Sequence, residues 1–231
     1  MGRRRPENRF AQLLHAATRV FIRPGGFKRA QIQDVAKELG VAKGTVYLYV
    51  ESKEALFDLC IRAAAGVAVE ETLPVPTPPP SSTVNFIRSF IVEEARFGAL
   101  EQALAADGPV GAVSDELTAV VDEIYGTLSR YRTMIRLIEA SAQDLPELGE
   151  LWYAGTRGGL VRRLTQYLET RMAYGDLRTL PDARVGARML TQLIYWFAVQ
   201  RFYDPSPEDM NEVAVRQSVR EAALGFCGVA T

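Results

Sequence analysis

The sequence predicts an all-α fold in two parts, a small basic N-terminal head and a larger helical body. Three observations carry that prediction. Apolar residues recur at helical spacing through most of the 231 residues, and no alternating apolar–polar run bounded by turn signals argues for a sheet. The stretch from Thr72 to Ser82 holds five of the twelve prolines. Proline lacks the amide donor and clashes with the preceding helical turn, so no helix crosses this stretch and it reads as a stiff, extended connection. Third, the formal charge of -1 divides unevenly: residues 1–62 sum to +6, residues 63–231 to -7, and all four lysines lie in the first block. A basic block on an acidic body suggests a polyanionic partner for that block.

The first helix is expected over about Glu7 to Ile22, with Phe10, Leu13, Leu14, Ala17, Val20 and Phe21 on one face. Pro24-Gly25-Gly26 ends it. A second helix follows over Ile32 to Leu39, closed by Gly40 as a left-handed C-cap. A short third helix is expected from Lys43 to Tyr49, and a fourth from near Ser52, which can cap it, towards Glu71. Beyond the prolines, five longer helical patterns cover roughly Thr83–Ala105, Ser114–Ala142, Glu147–Tyr174, Asp182–Tyr203 and Pro207–Phe226.

Composition narrows the function classes. With 48% hydrophobic and 24% charged residues, the chain has the makings of a real core. No charge-free apolar run is long enough to predict a membrane span. The start, Met1-Gly2-Arg3-Arg4-Arg5, lacks the apolar segment of a secretory signal. Two cysteines, Cys60 and Cys227, suit a reducing cytoplasm better than a disulfide framework. One histidine and two thiols do not make a zinc site, and no phosphate loop or nucleophile–base pair is evident, so neither an enzyme nor a metal or cofactor protein is expected.

Gln31 to Lys53 carries the chemistry. It reads as two short helices joined by a glycine-containing turn, a helix-turn-helix whose second helix enters the major groove of duplex DNA. Val35, Leu39, Val41 and Val46 would pack the two helices, leaving Lys43, Gly44, Thr45, Tyr47 and Tyr49 as a polar outer face. Lys43 is a cation for a guanine edge or a phosphate. Gly44 lets the backbone approach DNA closely. Thr45 offers a hydroxyl and a methyl, Tyr47 and Tyr49 offer phenols, and Lys53 sits where a helix N-terminus also favours phosphate. The competing reading makes Tyr47 and Tyr49 core aromatics, although Val46 and Val50 already supply an apolar face. Arg3, Arg4 and Arg5 read either as a mobile arm along phosphates or as a solvated tail.

The run Val41-Ala42-Lys43-Gly44-Thr45-Val46-Tyr47-Leu48-Tyr49-Val50-Glu51-Ser52-Lys53-Glu54-Ala55-Leu56, preceded in register by Ile32-Gln33-Asp34-Val35-Ala36 and Leu39-Gly40, closely resembles the DNA-binding signature of TetR-family transcriptional regulators. The resemblance covers about residues 7–64. It implies an all-α homodimer in which residues 1–64, with the basic arm, form the three-helix DNA-binding head. Residues 65–231 would then form the ligand-binding and dimerisation domain. A small molecule bound there would change the spacing of the two heads and release the operator. The resemblance also adds Gln33 to the DNA surface, where its amide suits an adenine edge, the alternatives being a phosphate contact or plain solvent. Ala42, Leu48, Val50 and Gln31 depart from the family pattern, where Ser, His, Phe and Thr are common, and these changes bear on base preference rather than on fold.

In the body, Asp182–Tyr203 is apolar nearly all round and is expected to be buried on more than one side. Together with Pro207–Phe226 and the same two helices of a second copy it would make a four-helix interface, a homodimer through the last two helices. Phe97, Tyr125, Tyr131, Met134, Trp152 and Tyr195 are candidates for an aromatic pocket suited to a small, largely apolar effector, against the alternative that each is simply core. The expected function is a repressor released from double-stranded operator DNA by that effector; the alternative is a dimeric DNA-binding protein with no effector.

Overall fold

The structure is a computed structural model that describes residues 9–68, 72–106, 108–109 and 111–229; the basic arm at Arg3–Arg5 lies outside the described residues. It is all-α: no strand occurs among the described residues, and the one extended pairing is an isolated parallel bridge between Val50 and Val75. Packing divides the chain into two compact units. Met1–Phe90 with Thr133–Trp152 forms one, and Ile91–Arg132 with Tyr153–Thr231 forms the other.

The first unit holds the head. α1 (Arg9–Ile22) buries Leu13, Ala17, Val20 and Phe21 and packs on α3 (Ile32–Leu39) and α5 (Lys53–Ala64). A short α2 (Gly26–Arg29) intervenes where the sequence suggested only a break. Two adjacent glycines make it fit. Both have positive φ, and a side chain on Gly26 would meet the Ala140 carbonyl at 2.0 Å. The Phe27 amide then donates to Ser141 Oγ at 3.2 Å. α3 ends as expected at Gly40, φ 70°, whose amide closes onto the Ala36 and Lys37 carbonyls. α4 (Lys43–Val46) is shorter than the predicted Lys43–Tyr49, because the chain tightens into a turn over residues 47–49, with Tyr49 N on Val46 O at 2.9 Å. Ser52 caps α5 by accepting from the Ala55 amide at 3.1 Å. An aromatic cluster of Phe21, Phe27 and Phe57, with ring centroids 5.1 to 6.2 Å apart, fills the base of the head.

Several predicted long helices are divided. In place of Thr83–Ala105 the chain forms α6 (Ser82–Glu94) and α7 (Gly98–Ala105), separated at Phe97, φ 51°. The cause is tertiary: the Glu123 carboxylate accepts from the Gly98 and Ala99 amides at 2.7 and 2.9 Å, capping α7 from 25 residues away. Ser114–Ala142 is α8 (Val113–Arg130) and α9 (Arg132–Ala142). Arg132 Nε donates to Ser129 O at 2.9 Å there, satisfying a carbonyl at the end of α8. Glu147–Tyr174 is α10 (Pro146–Gly149), a π-helical segment (Glu150–Arg157) and α11 (Gly158–Tyr174). Asp182 caps α12 (Ala183–Ala198), which a 3-10 turn (Gln200–Tyr203) follows, and Asn211 caps α13 (Glu212–Cys227). In the second unit α7, α8, α11, α12 and α13 pack together.

α12 departs from the expected burial. Ala187, Leu190, Ile194 and Ala198 face the unit's core, but Val185, Met189 and Trp196 are exposed in the single chain. One side of this helix is therefore covered, not several.

Candidate nucleic-acid interface

The reading segment is held by a dry base. Val46 and Val50 are fully buried, with Ile32, Val35 and Ala36 beneath α3. Above that base Gln33, Lys43 and Gly44 are exposed, Thr45 is half-buried, and Tyr47 is 41% exposed. Nothing lies within 4 Å of where a Gly44 side chain would begin, so the ground in front of α4 is open. Lys43 Nζ stands 6.0 Å from the Tyr47 ring centroid, and no carboxylate pairs with it among the described residues. By contrast, Arg19 and Arg23 both pair with Glu38.

Two of the expected residues sit differently. Tyr49 is only 6% exposed and its ring packs 6.2 Å from Phe10, so it belongs to the core and is not an outward phenol. The turn over residues 47–49 explains this: it directs 47 and 48 outward and 49 and 50 inward. Lys53 is half-buried, its ammonium donating to the Phe27 carbonyl at 2.8 Å and lying 4.2 Å from the Phe27 ring centroid. Its charge stays near the surface, but its position is fixed by α2.

Sequence reasoning missed what steadies this segment from the other side. Val75, within the proline stretch, donates its amide to Tyr49 O at 2.8 Å and accepts from Glu51 N at 3.0 Å. Thr77 adds an amide to Glu51 Oε2 at 3.1 Å and a hydroxyl contact with Ser52 Oγ at 2.8 Å. The flanking prolines signalled an extended chain, but no local pattern names its partner.

The six pocket candidates do not share one environment. Met134 and Trp152 are buried in the first unit, where Trp152 Nε1 donates to Glu139 Oε1 at 3.4 Å. In the second unit Tyr125 is buried and donates to Glu212 Oε1 at 3.0 Å; burial and that carboxylate push its pKa up. Tyr131 donates to Glu94 Oε2 at 2.6 Å. Tyr195 is half-buried, with the Arg157 guanidinium 5.8 Å from its ring. Phe97 borders a cleft of about 270 Å³ with Ile91, Val92, Leu160 and Arg163. A larger groove of about 810 Å³ runs along α11 and α12, where Arg162, Arg184 and Arg188 flank Val185 and Met189; none of the six lines it.

A helix-turn-helix with open polar positions on a rigid apolar base defines a DNA-binding regulator, a class that binds rather than catalyses. The comparisons with known proteins agree. Residues 13–60 match the family of bacterial regulatory proteins of the tetR type, and residues 115–229 match the C-terminal domain of AefR-like transcriptional repressors. The chain belongs to the TetR family of transcriptional regulators. A curated relative, the fatty acid metabolism regulator protein of Bacillus subtilis, is 34% identical over 70 residues, which is 30% of this chain and 34% of that protein. The chain thus spans about a third of that relative's length. Among solved structures, a TetR-family member from Streptomyces coelicolor A3 aligns with TM-score 0.54 at 20% identity, covering 95% of this chain and 90% of the other. A tetR-family regulatory protein from Rhodococcus RHA1 aligns with TM-score 0.52 at 19% identity, covering 98% and 100%. These two show the shared fold.

Proposed function

We propose that this regulator is an operator-binding repressor, acting as a homodimer and released by a small, largely apolar ligand. Residues 1–64 read DNA, and residues 65–231 bind the effector and the second copy. The observation that carries the reading is the outward set Lys43, Gly44, Thr45 and Tyr47, raised on a base in which Val46 and Val50 are fully buried. Gln33 joins that face, Lys53 supports it, and Tyr49 contributes its backbone and packing. The AefR-like match supports repression. The exposed apolar stripe of Val185, Met189 and Trp196 on α12 supports a second copy there, with α13 beside it. No helix among the described residues is long and apolar enough to cross a membrane, and the buried free thiols of Cys60 and Cys227 suit the cytoplasm.

The effector is proposed to be lodged in the second unit, with Phe97, Tyr125, Tyr131 and Tyr195 as its candidate contacts; Met134 and Trp152, buried in the first unit, are left to that unit's core. The curated relative's part in fatty acid metabolism makes long-chain acyl compounds the first probes. The test selects DNA from a random pool with the purified protein, then measures affinity by fluorescence anisotropy with and without stearoyl-CoA, stearate and a panel of apolar metabolites. Affinity is expected to be sequence-specific, to fall steeply with salt as phosphate contacts release counterions, and to drop on addition of one ligand class. If no ligand changes it, the protein is a dimeric DNA-binding protein without an effector. If salt leaves it unchanged, the head is not the reader.

A further inference from the structure

Leu48 is 54% exposed, one of the few large apolar side chains that the head leaves in solvent. It is not spare core, because Val46 and Val50 on either side are fully buried and complete the apolar base. Its direction is set by the backbone. Its amide bonds Thr45 O at 3.3 Å, the next amide bonds Val46 O at 2.9 Å, and the Val75 bridge holds Tyr49 and Glu51 just beyond. In a 3-10 turn a residue shares a face with the one three positions before it. Leu48 therefore stands in register with Thr45, next to the open ground at Gly44.

A leucine has no donor or acceptor, so it cannot bind a phosphate or read a polar base edge. The apolar group that a base pair presents in the major groove is the C5-methyl of thymine. We propose that Leu48 is a specificity residue that packs on a thymine methyl of the operator and so selects A·T at one position of each half-site. The proposal rests on the DNA-binding reading of the head and adds to it a base preference carried by a residue that hydrogen-bond reasoning passes over.

The experiment uses the full-length protein and the operator selected from a random pool. Each thymine is replaced in turn by deoxyuridine, which removes the methyl and leaves the hydrogen-bonding edge unchanged. Wild type is expected to lose about fourfold in affinity at one position per half-site, the factor that burial of one methyl-sized group supplies. Leu48→Ala is expected to bind more weakly but to lose nothing further at that position, and Leu48→Met to keep the methyl dependence. Circular dichroism and unfolding midpoints confirm that the variants fold, as expected for a half-exposed site. Tight binding by wild type with no sensitive thymine, or equal sensitivity in Leu48→Ala, overturns the proposal while leaving DNA binding intact. Absence of binding to any selected DNA overturns the DNA-binding reading itself.

Discussion

The reading head and the second compact unit use polar side chains in opposite ways. In the head the residues proposed to meet DNA project from an apolar base, and Lys43 has no carboxylate partner among the described residues. In the second unit two polar clusters are built around buried arginines, Arg171 and Arg201. Arg171 is 0% exposed, donating to both carboxylate oxygens of Glu116 at 2.7 and 2.9 Å and to the Ala103 carbonyl at 2.8 Å. Tyr125, Glu212, Arg201 and Arg216 form a second cluster, with the Arg216 guanidinium 4.7 Å from the Tyr125 ring. A polar group that faces out is free to bind something else. One that faces in fixes the packing around it, because leaving it unpaired costs several kcal/mol.

The greatest loss is expected at the buried Arg171–Glu116 pair. Arg171→Ala strands the Glu116 carboxylate and should cost roughly 3–5 kcal/mol in a urea unfolding curve. Arg171→Met paired with Glu116→Gln should recover much of that loss. DNA affinity per folded molecule should stay within about twofold, since Arg171 belongs to a different compact unit from the head and shares no partner with it. A parallel collapse of affinity would show that the two units are not separable in this sense.

On the outward side, Lys43→Ala or Tyr47→Ala should weaken operator binding by about 1–3 kcal/mol, read by anisotropy at fixed salt. The Lys43 variant should also lower the salt slope by about one if its partner is a phosphate. Unfolding midpoints should move little, because both side chains are exposed. Loss of stability in place of affinity would put these side chains with Tyr49 in the core.

How far each region could be read in advance follows from the same contrast. Helix α3, its Gly40 cap and the Ser52 cap of α5 depend on neighbours within four residues, so the sequence alone identifies them. The outward position of Lys43 and Tyr47 follows from helical spacing, but that of Tyr49 does not, because the tightened turn changes the spacing at Val46. The breaks at Phe97 and Tyr131 interrupt a continuous apolar pattern; the first depends on Glu123 and the second sits beside the Arg132–Ser129 contact. Helical spacing carries no trace of a cap that arrives from 25 residues away. The surroundings of the body's aromatic candidates are illegible for a related reason. Spacing marks Tyr125 as apolar-facing, whereas its hydroxyl is bound to a glutamate 87 residues on.

Lesser losses are expected where the proline stretch meets the reading turn. Ser52 caps α5 through its Oγ and also meets Thr77 of the proline stretch. Ser52→Ala should cost about 1 kcal/mol of stability. Val75→Pro removes the amide that bonds Tyr49 O and should loosen the reading turn, lowering DNA affinity more than global stability. Hydrogen exchange at the amides of Leu48 to Glu51 checks this directly. Faster exchange there in the proline variant, with α1 unchanged, is the expected pattern.

The smallest effect is expected at the thiols. Burial pushes Cys60 up to about 12 and Cys227 up to about 11 from an ordinary value of 9.0. At pH 8 both are protonated in the folded chain, and thiolate is the reactive form. Iodoacetamide should therefore leave both unmodified in the native protein at pH 8 and label both in urea. Folded-state values raised in this way contribute stability in full below about pH 9, and lose it as pH climbs through 9 towards 11 and 12, because the unfolded chain ionises first. Cys60→Ala and Cys227→Ala should flatten that alkaline decline. Rapid labelling of either cysteine in the folded protein at pH 8, accompanied by release from DNA, would instead make it a reactive, regulatory thiol and not a packing group of the core.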